Sequence, residues 1–269
     1  MISAVGRLQD VRALVTGGTS GIGASIVDRF RAEGAAVVFT GRDAARGEEV
    51  AARTGASFVR ADIRDGKDIG ASVRVALDTL GGLDALVANA GVLHDSTLSE
   101  TSDEAWDAVL ETNLIGSYLY AVACLPALRA SGGGSITMTS SDAGVWGETA
   151  IAAYSVSKRA LNMLVQTLAV EAGPSGVRVN AVCPGDTAPG MASYVKGRVE
   201  SEDTSPGWIL PPLARVGTGA DVAAAVVFFA SSDGAFCNGS ILLVDGGMRA
   251  SLRASAVGRH GVSGAGEGT

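Results

Sequence analysis

Tyr154 and Lys158 stand four residues apart, on one face if the segment is helical. A phenol beside an ammonium is a route to a proton donor or acceptor near neutral pH, because a neighbouring positive charge stabilises the phenolate. Lys67, Lys158 and Lys196 are the only lysines, and the other 18 of the 21 basic residues are Arg. A compact three-donor head can touch a phenol and a second polar ligand at once, which a planar guanidinium does less well. Ser141 adds a hydroxyl upstream of the tyrosine. The plainer alternative is an amphipathic helix with a tyrosine on its buried face.

Such a pair needs elements to hold it, and the chain supplies them in alternation. Val11–Thr16 is a short apolar run ending in a turn that holds Gly17, Thr19, Ser20, Gly21, Ile22 and Gly23, and a helical pattern follows from Ala24 to Glu33. With the apolar run Ala35–Thr40 this is strand, glycine turn, helix, strand. The pattern continues with strands expected over 57–61, 83–88, 135–139, 177–182 and 240–244. Helices are expected over 43–54, 65–80, 102–130, up to 172 through Tyr154, and 219–231. Apolar strands without alternation imply a parallel sheet covered on both faces, hence an α/β, doubly wound, Rossmann-like fold in one domain over residues 1–248. Residues 186–210 read as an irregular flap, and 249–269, rich in Arg, Ser, Ala and Gly, as a flexible tail.

The glycine turn lies after the first strand and opens a helix, so its free N–H groups would face a phosphate. At the end of the second strand, sites for NAD usually carry an acid for the ribose 2′-hydroxyl. Here that position is Gly41, followed by Arg42, a guanidinium suited to a 2′-phosphate. NADP(H) is therefore favoured, with NAD(H) the alternative. Asp62, after the third strand, suits either an adenine amino group or a helix N-cap.

A net charge of −7 and a pI near 4.9 argue against nucleic acid or an anionic membrane surface as partner. The longest apolar run, 222–230, is too short to span a bilayer, and no secretory signal is read at the start. Cys124, Cys183 and Cys237 lack CxxC spacing and read as buried thiols of a cytoplasmic protein. His94 and His260 have no carboxylate cluster around them, so no metal site is expected.

Thr16-Gly-x3-Gly-x-Gly23, Asn89-Ala90-Gly91, Asn113, Ser141, Tyr154-x3-Lys158 and Pro184-Gly185 stand in order. With Asn238-Gly-x5-Asp245-Gly-Gly, they resemble the classical short-chain dehydrogenase/reductase family over about residues 8 to 248. The resemblance implies a Rossmann-like sheet of about seven strands, a nicotinamide cofactor and a homotetramer or homodimer. It implies Tyr154 as general acid or base, with Lys158 lowering its pKa and holding the nicotinamide ribose. Ser141 would bind the substrate oxygen, and Asn113 would hold a water linking Lys158 to solvent or, alternatively, heal a helix kink. Asn89, Ala90 and Gly91, with Asp62 and Ile63, would border the adenosine half, and Pro184, Gly185 and Thr187 the nicotinamide half. Where the family commonly has a threonine beyond Pro184-Gly185, this chain has Pro189.

Asp142, Val145, Trp146, His94 and Trp208, with the 186–210 flap, form the expected substrate wall, with Asp142 and Trp146, beside Ser141 and Tyr154, the expected contacts of a small carbonyl or secondary alcohol. Asp142 could equally cap a turn. Acidic neighbours Glu200, Glu202 and Asp203 offset Lys196 and Arg198, which argues against an acyl-carrier partner. Other readings are an NAD-dependent alcohol dehydrogenase, a non-catalytic dinucleotide sensor, and an epimerase or dehydratase on the same fold.

Overall fold

The computed structural model describes residues 6–188, 191 and 210–250. Most of the expected flap and tail lies outside these residues, as do Pro189, Lys196, Arg198, Glu200, Glu202, Asp203, Trp208 and His260.

Seven parallel strands form one sheet: β1 (Arg12–Thr16), β2 (Ala36–Gly41), β3 (Ser57–Arg60), β4 (Ala85–Ala88), β5 (Gly134–Thr139), β6 (Val177–Pro184) and a last strand, β9 (Ile241–Val244), in the order β3-β2-β1-β4-β5-β6-β9. A two-residue strand pair, β7 (Thr187–Ala188) with β8 (Gly217–Thr218), stands apart from that sheet. It corrects the expectation that residue 186 begins irregular chain: the first residues beyond Pro184 are held to the approach of the last helix.

Helices cover both faces, as apolar strands without alternation demand. Leu14, Val38, Leu86 and Ile136 point to one side, where they pack with Val73, Tyr120, Leu128 and Val165. These come from α3 (Gly66–Leu80), α5 (Gly116–Ala130) and α6 (Ala152–Ala172). Their strand neighbours Val15, Phe39 and Val87 point to the other side, against Ile26 and Phe30 of α1 (Gly21–Ala32), Val50 of α2 (Ala44–Thr54) and Val226 of α7 (Gly219–Ala230). At about 25 cal/mol per Å² of buried apolar area, two such layers are the main favourable term in folding.

Local chemistry sets the ends. Asp43 and Asp65 accept backbone N–H groups at the starts of α2 and α3, and left-handed Gly55 and Gly81 stop those helices. Thr218 and Asp221 form a reciprocal capping box on α7. The helix expected over 102–130 is α4 (Asp103–Leu110) joined to α5 through a π-helical turn at Glu111–Ile115. Among the described residues this 28-residue run is apolar and long enough to cross a membrane. Its inner side is nevertheless core: Val109, Asn113, Tyr120, Cys124 and Leu128 are 2% exposed or less.

Consecutive strands run outward from β1 in one direction through β2 and β3, and from β4 in the other. The carboxyl ends of β1 and β4 therefore bound the crevice where open α/β sheets bind ligands.

Candidate active site

At that crevice the turn after β1 is built from backbone. Gly17 has φ +67°, and a Cβ there would lie 2.7 Å from Ala90 Cα. A Cβ on Gly23 would lie 2.0 Å from the Gly17 carbonyl oxygen, so the helix packs onto its own turn only with glycine at that position. Asn89 ties the sheet centre to this turn: its Nδ2 donates to the carbonyls of Thr16 and Gly17 at 3.2 and 3.3 Å. Thr16 Oγ1 accepts the N–H groups of Asn89 and Ala90, and Thr139 Oγ1 donates to Asn89 Oδ1. Ser20, at the N-cap of α1, makes no side-chain cap, and the first turn holds no acid. The amino end of α1 therefore presents free N–H groups and positive dipole to the crevice. That arrangement fits a pyrophosphate.

The outer end of the crevice is cationic. Arg42 and Arg46 both line it, with Thr19 and Gly41 between them and the glycine turn. Arg46 was not singled out from the sequence; its signal was its place one turn into the helix that follows Arg42. Ile63 is in the wall, whereas Asp62 is not. Asp62 Oδ1 instead accepts the backbone N–H of Arg64 at 3.0 Å. It closes a turn, and the N-cap of α3 is Asp65.

The inner end holds the phenol and the ammonium. Tyr154 and Lys158 lie on the buried face of α6, 8% and 3% exposed, with Lys158 Nζ 5.5 Å from the centroid of the Tyr154 ring. Lys158 Nζ donates to the Thr139 carbonyl at 2.8 Å, which aims it across the end of β5. A neighbouring ammonium alone would lower the phenol's pKa. In the structure burial dominates instead. The phenol is pushed up to about 12, with the Ser141 hydrogen bond opposing and the Asp142 and Glu148 charges adding. Burial likewise pulls the ammonium down to about 8. In both groups burial disfavours the charged form.

Ser141 sits at the end of β5, where its hydroxyl accepts the Ala143 N–H at 3.1 Å and donates to Asp142 Oδ1 at 3.2 Å. The turn cap is therefore Ser141's, not Asp142's. Asp142 lines the crevice and takes Arg249 Nε on its second oxygen at 3.0 Å. Trp146, by contrast, is 55% exposed and outside the wall.

Asn113 occupies the π turn. Its Nδ2 donates to the Val92 carbonyl at 2.9 Å and to Ser157 Oγ at 3.0 Å, while its Oδ1 accepts the Val92 N–H at 2.8 Å. At the widened turn one amide reaches both the segment after β4 and α6, and π turns are frequent at functional sites. A Cβ on Gly91 would lie 3.3 Å from both Asn113 Oδ1 and Lys158 Nζ. A glycine there keeps the space between them open.

One crevice of about 560 Å³ joins the two ends. Gly17, Thr19, Ser20, Gly21, Ile22, Gly23, Asn89, Ala90 and Gly91 line it on the glycine-turn side. Ser141, Asp142, Tyr154, Lys158, Pro184, Gly185 and Thr187 line the other side. Thr187 Oγ1 donates to the Gly185 carbonyl at 2.9 Å, so its hydroxyl is turned toward the loop. The wall also includes Asp186 and Glu148, which the sequence reading passed over. Burial and the nearby charges of Asp142 and Glu148 push the Asp186 carboxyl up to about 6.

A family model described as enoyl-(acyl carrier protein) reductase matches residues 17–249. The chain is similar to 2-(S)-hydroxypropyl-CoM dehydrogenase 3 of Xanthobacter autotrophicus, 35% identical over 91% of this chain and 98% of that protein. It is 36% identical to a 3-alpha-(or 20-beta)-hydroxysteroid dehydrogenase of Mycobacterium bovis over 92% of both chains. It is likewise 36% identical to L-fucose dehydrogenase of Mus musculus over 91% of both. These relatives share nearly the full length of the chain, from the glycine turn to the residues beyond β9. Their common description as dehydrogenases agrees with the parallel sheet and its crevice, and the chain belongs to the short-chain dehydrogenase/reductase family, oxidoreductases of CH–OH groups that use a nicotinamide cofactor.

Proposed function

We propose that this protein reduces a small ketone to a secondary alcohol with NADPH. The carrying observation is a buried phenol, held protonated by its surroundings, in one crevice with an uncapped helix amino end. Burial holds the phenol in its protonated form at neutral pH, the form that can donate to a carbonyl oxygen. Carbonyl reduction uses that protonated form directly, whereas alcohol oxidation starts from the phenolate.

Gly21, Ile22 and Gly23 would hold the cofactor pyrophosphate, and Arg42 with Arg46 the 2′-phosphate. Asp62 and Ile63 are assigned to the adenine side, Asp62 through the carboxylate oxygen that does not take the Arg64 N–H. Asn89, Ala90 and Gly91 would border the adenosine ribose, Lys158 the nicotinamide ribose, and Pro184, Gly185 and Thr187 the nicotinamide ring. When bound, the nicotinamide supplies the hydride. Tyr154 delivers the proton to the substrate oxygen. The Ser141 hydroxyl turns from Asp142 to that oxygen and stabilises the charge that grows on it. Lys158, whose pKa near 8 still leaves it mostly charged at neutral pH, electrostatically assists the phenol once the proton has left. Asn113 holds the chain open beside Lys158, where a proton route from solvent would pass Gly91. Asp142 borders the substrate, whereas Trp146 could reach it only by moving inward.

Three free cysteines, two of them buried, suit a reducing cytoplasm. Exposed Ile115, Tyr118 and Val122 on one helical run and Met163 and Val170 on α6 suit self-association into a homodimer or homotetramer.

The test is a panel of ketones followed by the loss of NADPH absorbance, with Tyr154→Phe alongside. Removal of a general acid lowers turnover by about a hundred- to ten-thousandfold, and NADPH binding measured by fluorescence stays close to that of the parent. Comparable turnover in Tyr154→Phe sinks the assignment.

A further inference from the structure

Arg249 is the first residue of the expected tail, yet it is fixed by the turn it ends. Asp245 Oδ1 accepts the Gly247 N–H at 2.9 Å, and Asp245 Oδ2 accepts the Arg249 N–H at 2.8 Å. Gly246 and Gly247, at φ +63° and +90°, allow the chain to fold back tightly enough for one carboxylate to take both. The turn sends the Arg249 side chain inward, where it is 23% exposed. Its Nε meets Asp142 Oδ2 at 3.0 Å and its Nη2 meets Glu148 Oε2 at 3.2 Å. Asp142 in turn holds the Ser141 hydroxyl through its other oxygen. The guanidinium thus reaches the reacting pair through one intermediate carboxylate.

We propose that Arg249 is a positioning residue for proton transfer at Tyr154. It clamps Asp142 in register with Ser141 and neutralises carboxylate charge that otherwise faces the phenol. The proposal rests on the assignment of Tyr154 as acid and base. Around that phenol, α6 contributes Lys158, the segment after β5 contributes Ser141, Asp142 and Glu148, and β6 contributes Cys183. Asp186 lies just beyond, within electrostatic reach of Asp142 and Glu148, and Leu93 packs on the apolar side. Asp142, Glu148 and Asp186 are three carboxylates, and Arg249 is the cation that pairs with two of them. Without it, more negative charge faces the phenol, and phenolate forms at higher pH.

The experiment follows the pH profile of kcat/KM for alcohol oxidation, using the secondary alcohol product of the best ketone in the panel. In Arg249→Leu the rising limb moves to higher pH by about one unit, an approximately tenfold loss below the limb. NADPH affinity, read by fluorescence, stays within about a factor of two to three. The double variant Arg249→Leu/Asp142→Asn brings the limb back toward its original position. Glu148→Gln, which keeps Arg249 and removes one carboxylate, moves it to lower pH and serves on its own if the arginine variant does not fold. A uniform fall in rate at every pH with an unmoved limb overturns the proposal, as does an unmoved limb in Glu148→Gln. Substantial turnover in Tyr154→Phe instead overturns the underlying assignment, so the two failures are distinct.

Discussion

The two ends of the crevice are made from different materials. The glycine-turn end is main chain: Gly17 and Gly23 leave room, Gly21 supplies a φ of +54°, the first turn of α1 offers N–H groups, and Asn89 fastens the turn to the end of β4. The phenol end is side chains from separate parts of the sequence: Ser141 and Asp142 after β5, Tyr154 and Lys158 on α6, Asp186 after β6 and Arg249 beyond β9. A backbone site recognises what cofactors share, a phosphate group. A side-chain site recognises what distinguishes one carbonyl from another. The first tolerates almost no change in residue size; the second is adjustable through charge.

The sharpest way to break this contrast is Gly23→Ala. One methyl group would stand 2.0 Å from the Gly17 carbonyl oxygen, and backbone cannot swing away as a side-chain tip can. Either the turn opens or α1 moves off β1, and both misplace the N–H groups. The expected outcome is a loss of NADPH affinity of at least about a hundredfold, roughly 3 kcal/mol, read by fluorescence titration. Circular dichroism should show the secondary structure retained. Affinity within about threefold of the parent would show the cradle to be less exacting than its geometry.

The same contrast explains what could be read in advance. All seven strands of the sheet were legible to within two residues, because buried parallel strands are unbroken apolar runs and Gly or Asp marks most turns. The glycine turn and the Tyr154–Lys158 pair were legible because each depends on spacing within one short segment. The π turn at Glu111–Ile115 was not, since widening by one residue per turn leaves no composition signal; only Asn113 in an apolar stripe hinted at it. Arg249 was invisible for another reason. Its partners lie 107 and 101 residues away, and a run of Arg, Ser, Ala and Gly reads as tail until a fold brings Asp142 beside it. Asp62 was half legible: its position after the third strand suited a ligand or a helix N-cap, and the N-cap of α3 is Asp65, while one Asp62 oxygen takes the Arg64 N–H.

Arg42 tests whether the backbone end also carries a side-chain preference. It lines the crevice with Arg46, but Arg46 already pairs with Asp43 at 3.4 Å. Arg42 is then the better placed for a 2′-phosphate. Arg42→Ala should lower kcat/KM with NADPH by about tenfold, the usual effect of losing one exposed charge-assisted contact of about 1.4 kcal/mol, while NADH is affected little. The ratio of the two cofactors is the readout. Preference for NADH in the parent protein would remove the argument for NADP(H).

The smallest effect belongs to the adjustable end, and it is an effect on stability. Burial raises the Asp186 carboxyl from the ordinary carboxylate range to about 6, with Asp142 and Glu148 adding to the shift and Arg249 opposing it. A carboxyl raised on folding contributes stability that is fully present below its unfolded pKa and is lost as pH rises through the folded value. Between about pH 4 and 6 the folded chain binds the extra proton, so this residue opposes acid destabilisation there and weakens the fold at pH 8. Asp186→Asn keeps the shape and removes the charge. It should raise stability at pH 8 by on the order of 1 kcal/mol, discounted for partial solvent exposure, and give no gain at pH 4. Urea melts at the two pH values measure it. An equal change at both would mean that the amide repacks the loop after β6, and that the charge of Asp186 matters less to this end of the crevice than its shape.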